Sequence, residues 1–139
     1  MTPENNILIV TPRMEELAAL CRSNTLIEAG LYREYDVKRG LRDVNGKGVL
    51  AGLTNISDII AQREVDGILQ PCPGELYYRG IRIEELVQGF VREGRKGYEE
   101  VAYLLLFGRL PDAKELGSFK SLLAQGRMLP TNFTRDVIM

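Results

Sequence analysis

The sequence predicts a mainly α-helical fold carrying one small antiparallel β-meander near residues 50–80. Two observations lead there. Apolar residues recur at helical spacing toward both ends, as Met14, Leu17, Ala18 and Cys21 and again as Ile83, Leu86, Val87, Phe90 and Val91. That i, i+3, i+4, i+7 rhythm places each set on one helix face. Between them Gly40, Gly46, Gly48, Gly52, Gly67, Gly74 and Gly80 divide the chain into pieces too short for long helices. A length of 139 residues fits a single domain, here 1–139.

Taken in order, Thr11-Pro12 reads as an N-cap with proline at the first helical position. The first helix then runs to a stop at Ser23-Asn24. A second short helix is expected from Leu26 or Ile27 to about Tyr35, weakened by Gly30. Asn45-Gly46 and Asp66-Gly67 are turn dipeptides. Leu53 to Ile59, Gly67-Ile68-Leu69 and Leu76-Tyr77-Tyr78 supply two or three short strands. Pro71 and Pro73, flanking Cys72, should prevent regular pairing there. A sheet this small needs a helix to pack on.

The C-terminal part is helical. Ile83 to Val91 stops at Gly94, and Tyr98 to Phe107 stops at Gly108, a natural C′ residue. The run Val101 to Phe107 is apolar on every side, so that helix is expected to be buried all round. Asp112 and Glu115 have the spacing of a capping box, and Leu116, Phe119, Leu122 and Leu123 form the next face before Gly126. A last helix carrying Phe133, Val137 and Ile138 should follow Thr131-Asn132. Its amphipathic pattern continues to Met139 without a stop signal, which suggests truncation.

Composition excludes several chemistries. Hydrophobic residues at 45% and charged residues at 27% describe a globular chain with enough apolar side chain for a core. The net charge of -1 gives no electrostatic footprint for nucleic acid. No apolar run reaches the roughly 20 residues of a membrane span. MTPENNILIV has no basic region ahead of its apolar residues, against a secretory signal. With no histidine, the chain can form neither a Ser–His triad nor an imidazole metal site, and no metal is expected. Cys21 and Cys72 read as small core hydrophobes in a reduced, cytoplasmic protein, with a disulfide or a reactive thiol as alternatives.

No catalytic residue emerges from the motifs. Gly46-Lys47-Gly48 fails as a phosphate loop, because five residues separate Gly40 from Gly46 and Gly48 replaces the magnesium-holding hydroxyl. Glu15-Glu16, Glu84-Glu85 and Glu99-Glu100 fall in first helical turns, where they offset the helix dipole. Arg33, Lys38, Arg39, Arg42 and Lys47 form a basic stretch broken by Glu34, Asp36 and Asp43. It reads as a solvated ion-paired segment or as an anion contact. Arg79, after an aromatic strand, is expected to pair with a carboxylate or close a subunit contact.

Four stretches together resemble a citrate synthase. They are Val49-Leu50-Ala51-Gly52-Leu53-Thr54-Asn55-Ile56-Ser57, Asp66-Gly67, Gly74-Glu75-Leu76-Tyr77-Tyr78-Arg79-Gly80-Ile81-Arg82-Ile83-Glu84-Glu85-Leu86, and Tyr98-Glu99-Glu100-Val101-Ala102-Tyr103-Leu104-Leu105-Leu106-Phe107-Gly108-Arg109-Leu110-Pro111. Tyr35 to Arg42 also resembles bacterial members, and the similarity covers roughly residues 26–139. The resemblance implies a helical fragment of the large domain, from the N-terminal part of the enzyme. It implies a homodimer that condenses acetyl-CoA with oxaloacetate to citrate and CoA, with 2-methylcitrate-forming relatives. In that family an Asp acts as base, one His stabilises the enol and another polarises the oxaloacetate carbonyl. No histidine is present here, so no catalytic residue carries over. Gly40-Leu41-Arg42 is similar to a Gly-x-Arg site near the CoA phosphates, which makes Arg42 the one cofactor-binding candidate. Acetyl-CoA and oxaloacetate are expected only as ligands of a full-length enzyme, with no covalent cofactor, nucleic acid or membrane partner. The alternative is a stand-alone, non-catalytic interaction or regulatory module.

Overall fold

The computed structural model describes residues 10–38, 40, 42, 48–127, 133 and 137. Among them are five helices, α1 (Pro12–Asn24), α2 (Ala29–Glu34), α3 (Ile83–Arg92), α4 (Tyr98–Phe107) and α5 (Ala113–Gln125), and three strands, β1 (Ser57–Val65), β2 (Ile68–Tyr78) and β3 (Ile81–Arg82). The predicted class, helical with a small three-stranded antiparallel sheet in the order β1-β2-β3, is what forms.

Local chemistry sets most boundaries. The Thr11 hydroxyl accepts from the Met14 amide at 3.3 Å, and Pro12 opens α1 without needing a donor. The Asp112 carboxylate accepts from the Glu115 amide at 2.7 Å while Glu115 accepts from the Asp112 amide at 3.0 Å. This is the capping box expected from the spacing. Gly108 ends α4 at φ 77, a left-handed conformation that glycine adopts at little cost. The second helix is shorter than expected, beginning at Ala29, and no side chain caps it. The expected turn at Asn45-Gly46 lies outside the described residues, and the expected last helix lies mostly outside them.

The sheet departs from expectation in length. β2 is one continuous strand of 11 residues, and Pro71 is itself paired with Gln62. The irregularity predicted at the prolines is real but confined. Between Ile60↔Glu75 and Gln62↔Pro71 the register shifts, so that Cys72, Pro73 and Gly74 face Ala61 alone. The β1–β2 turn has both central residues at positive φ, Asp66 with φ 51 and Gly67 with φ 77. That is the mirror-image turn whose twist matches paired strands.

The core is small and aromatic. Leu17, Tyr103, Phe107 and Phe119 pack where α1, α4 and α5 meet, with Leu20, Cys21, Leu122 and Leu123 against them. Tyr103 and Phe119 meet edge to face at 5.4 Å, and Phe107 and Phe119 do so at 5.8 Å. This geometry suits ring quadrupoles. The expectation that α4 is buried all round is corrected. Tyr103, Leu104 and Phe107 are buried, whereas Leu106 is 45% exposed. Among the described helices α1 and α5 pack against α4, and Leu106 faces away from that packing. On α3, Leu86 is buried and Val87 and Val91 of the expected face are exposed. Both thiols are free, with Cys21 at the edge of the core and Cys72 half-buried on β2.

Candidate functional site

Arg79 organises the centre of the molecule. It occupies the turn between β2 and β3 with φ 49, followed by Gly80 at φ 82. Its Nε and Nη2 donate to the Leu105 carbonyl at 3.2 and 2.9 Å. Its Nη1 donates to the carbonyls of Asn24 and Asn55, at 3.1 and 3.2 Å, and to Asn55 Oδ1 at 2.8 Å. The expected carboxylate partner is therefore replaced by backbone carbonyls near the C-termini of α1 and α4. Those ends carry partial negative charge, which a planar five-donor cation is suited to meet. Asn55 Nδ2 adds a bond of 3.1 Å to the Asn24 carbonyl.

Two further ion-paired clusters are structural in their contacts. On the hairpin, Glu75 accepts from Tyr77 Oη at 2.7 Å and from Arg63 at 2.6 Å. The tyrosine bond first, and Arg63 after it, hold the Glu75 carboxyl below its ordinary range, and the same bond pushes the Tyr77 phenol up. At the start of α5, both guanidinium Nη atoms of Arg109 reach the Glu115 carboxylate, at 2.8 and 2.5 Å. This pair, aided by the Asp112 amide, holds the Glu115 carboxyl at about 2. Glu100 pairs with Arg95, Glu99 with Arg127 at 3.7 Å, and Glu84 with Arg82 at 3.4 Å. These acids stand in first helical turns as expected.

Arg42 is exposed and forms an isolated antiparallel bridge with Gly48. Lys38, on the same loop, donates its amide to the Leu50 carbonyl at 2.8 Å and pairs through Nζ with Asp36 at 2.6 Å. Within the basic stretch, Lys38 is thus ion-paired with Asp36. Arg39 and Lys47 lie outside the described residues.

The fold also forms a half-open groove of about 750 Å³ between α2 and the segment leading into β1. Leu26, Ile27, Leu31 and Leu53 give it an apolar lining, and Glu28 and Asp58 are the charged residues among its described lining. Nothing in the sequence announces it, because its two walls lie some twenty residues apart and meet only through tertiary structure. No group of three or more His, Cys, Asp or Glu converges on a metal-sized site among the described residues. No helix among them is long and apolar enough to cross a membrane.

Comparison with known proteins bears on this arrangement. The family model described as citrate synthase, C-terminal domain, matches residues 40–139. The glyoxysomal citrate synthase of Cucurbita maxima is 32% identical over 115 residues, covering 80% of this chain and 20% of that protein. A citrate synthase of Saccharolobus solfataricus is 42% identical over 57 residues, 41% of this chain and 14% of the relative. 2-Methylcitrate synthase 1 of Corynebacterium glutamicum is 33% identical over 85 residues, 61% of this chain and 17% of the relative. The chain thus spans a fifth or less of the length of these relatives. No solved structure matches it. The match over residues 40–139 takes in the sheet, α3, α4 and α5, and the chain belongs to the citrate synthase family.

Proposed function

We propose that this chain is a structural, subunit-contacting portion of a citrate synthase-type enzyme, from its N-terminal part, and does not catalyse condensation alone. The observation that carries this reading is a family match over residues 40–139 in a sequence without histidine. The resemblance assigns the chemistry to two histidines and an aspartate, so the enol and carbonyl steps have no agent here. The whole enzyme would be a cytoplasmic acyltransferase joining acetyl-CoA to oxaloacetate, with no covalent cofactor. Arg42 would approach the CoA phosphates in that assembly, where a guanidinium fork suits phosphate oxygens.

Exposed surface supports a role in assembly. Leu106, Tyr98, Val87 and Val91 are among the exposed apolar residues. Homodimerisation would cover such faces. The test is an assay of the purified chain with acetyl-CoA and oxaloacetate, read as CoA release. No release above background is expected, and turnover would overturn the proposal. The same exposed residues favour, as a second reading, a stand-alone module that pairs with a full-length synthase. Failure to co-purify with a synthase, joined to a monomeric mass, would remove it.

A further inference from the structure

We propose that the groove between α2 and the β1 entry is a docking site for a polypeptide segment presenting an apolar side chain beside a lysine or arginine. One wall is a single face of the α2 region. Glu28, Leu31 and Tyr35 line the groove at i, i+3, i+7, the spacing of one helix face. The opposite wall is Leu53, Thr54, Asn55 and Asp58.

That second wall is already fixed. Asn55 Oδ1 accepts from Arg79 and its Nδ2 donates to the Asn24 carbonyl, while Thr54 Oγ1 accepts from the Ile56 amide at 3.1 Å. The uncharged polar side chains there have found internal partners. Glu28 is held through its backbone, its carbonyl accepting from the Leu31 amide at 3.0 Å, and Asp58 through its pairing with Tyr77, while neither carboxylate makes a hydrogen bond or ion pair with another described residue. Two carboxylates beside an apolar lining, with no cation among the described lining residues, complement a positive charge attached to an apolar body. They disfavour anionic occupants by the same argument, so the groove is no place for CoA phosphates.

Shape selects the source of that charge. A small-molecule site encloses most of its ligand, whereas this groove is half-open. It covers one side of an occupant, as a surface does for a segment laid along it. The groove is argued from its own lining and would stand even if the family role proposed above failed.

The test uses the whole 139-residue chain labelled with nitrogen-15. Three probes are titrated: the peptide acetyl-Leu-Lys-Leu-Leu-Lys-Leu-amide, its counterpart with Glu for Lys, and hexylammonium chloride. The lysine peptide should shift the amides of Leu31, Thr54, Asn55 and Asp58, and the glutamate peptide should not. Glu28→Gln with Asp58→Asn should weaken the lysine peptide about fivefold, as expected for removing two exposed charges, with the rest of the spectrum unchanged. Equal shifts from the glutamate peptide, or shifts confined elsewhere, would overturn the site. Hexylammonium binding the same amides as tightly as the peptide would assign the groove to small amphipathic cations and overturn the polypeptide assignment.

Discussion

Arg79 and Leu105, 26 residues apart, are joined by two hydrogen bonds from one guanidinium to one carbonyl, at 3.2 and 2.9 Å. The same guanidinium reaches back to Asn24 and Asn55. One side chain thereby ties the sheet to α1 and α4, which otherwise share few direct contacts with it.

Arg79→Ala should destabilise the chain by about 2–3 kcal/mol, since hydrogen bonds from a charged donor contribute more than neutral ones. Arg79→Lys should recover only part of this, because an ammonium cannot reproduce the planar fork. Urea unfolding of the three proteins measures both. A lysine variant as stable as the parent would show that charge alone suffices.

Gly97→Ala should lower stability by about 1–3 kcal/mol. A Cβ there would overlap the Phe90 ring at Cδ1, Cε1 and Cζ. Pairing it with Phe90→Leu should make the Gly97→Ala step less costly than it is alone. A thermal melt of both variants decides; additive losses would mean the ring is not the obstacle.

Stability should fall in acid through Glu115. Its carboxyl is held at about 2 against an ordinary 4.5 by Arg109 and the Asp112 amide. A group with a depressed folded-state pKa stabilises fully above its unfolded pKa and loses that contribution as pH falls toward the folded value. The loss should therefore span about pH 4.5 down to 2. Glu115→Gln should flatten that part of the profile, measured as denaturation midpoint against pH; an unchanged slope would shift the cause to other carboxylates.

Asp66→Val should weaken the β1–β2 hairpin by about 1–2 kcal/mol, because a β-branched residue resists the left-handed conformation seen at φ 51. Asp66→Asn should be tolerated, since asparagine adopts it readily. Amide exchange at Val65 and Ile68, the pair that closes the turn, reports hairpin opening, and equal exchange in the valine variant would contradict the assigned turn.

Much of the fold was legible from local chemistry. Thr11-Pro12, Asp112 with Glu115, Asp66-Gly67 and Gly108 each satisfy backbone groups or dihedrals within a few residues. Such signals act without the rest of the chain, so helix and turn boundaries follow from them. Family membership was legible too, because the Leu76 to Leu86 and Tyr98 to Pro111 runs keep their order. Strand length was less so. Nothing local shows that β1 would hold Pro71 in register with Gln62 and confine the irregularity to Cys72, Pro73 and Gly74.

The sequence by itself determined the helical class, the caps, the hairpin turn and the absence of any histidine chemistry, all properties of residues close in the chain or of composition. Tertiary structure decided what depends on distant segments meeting. It turned Arg79 from an expected carboxylate partner into a donor to three carbonyls, left Leu106 exposed on an otherwise apolar helix, and set Glu28 opposite Asp58 across one groove. Periodicity tells which face of a helix is apolar, but only the packing of other elements fixes how much of that face is covered.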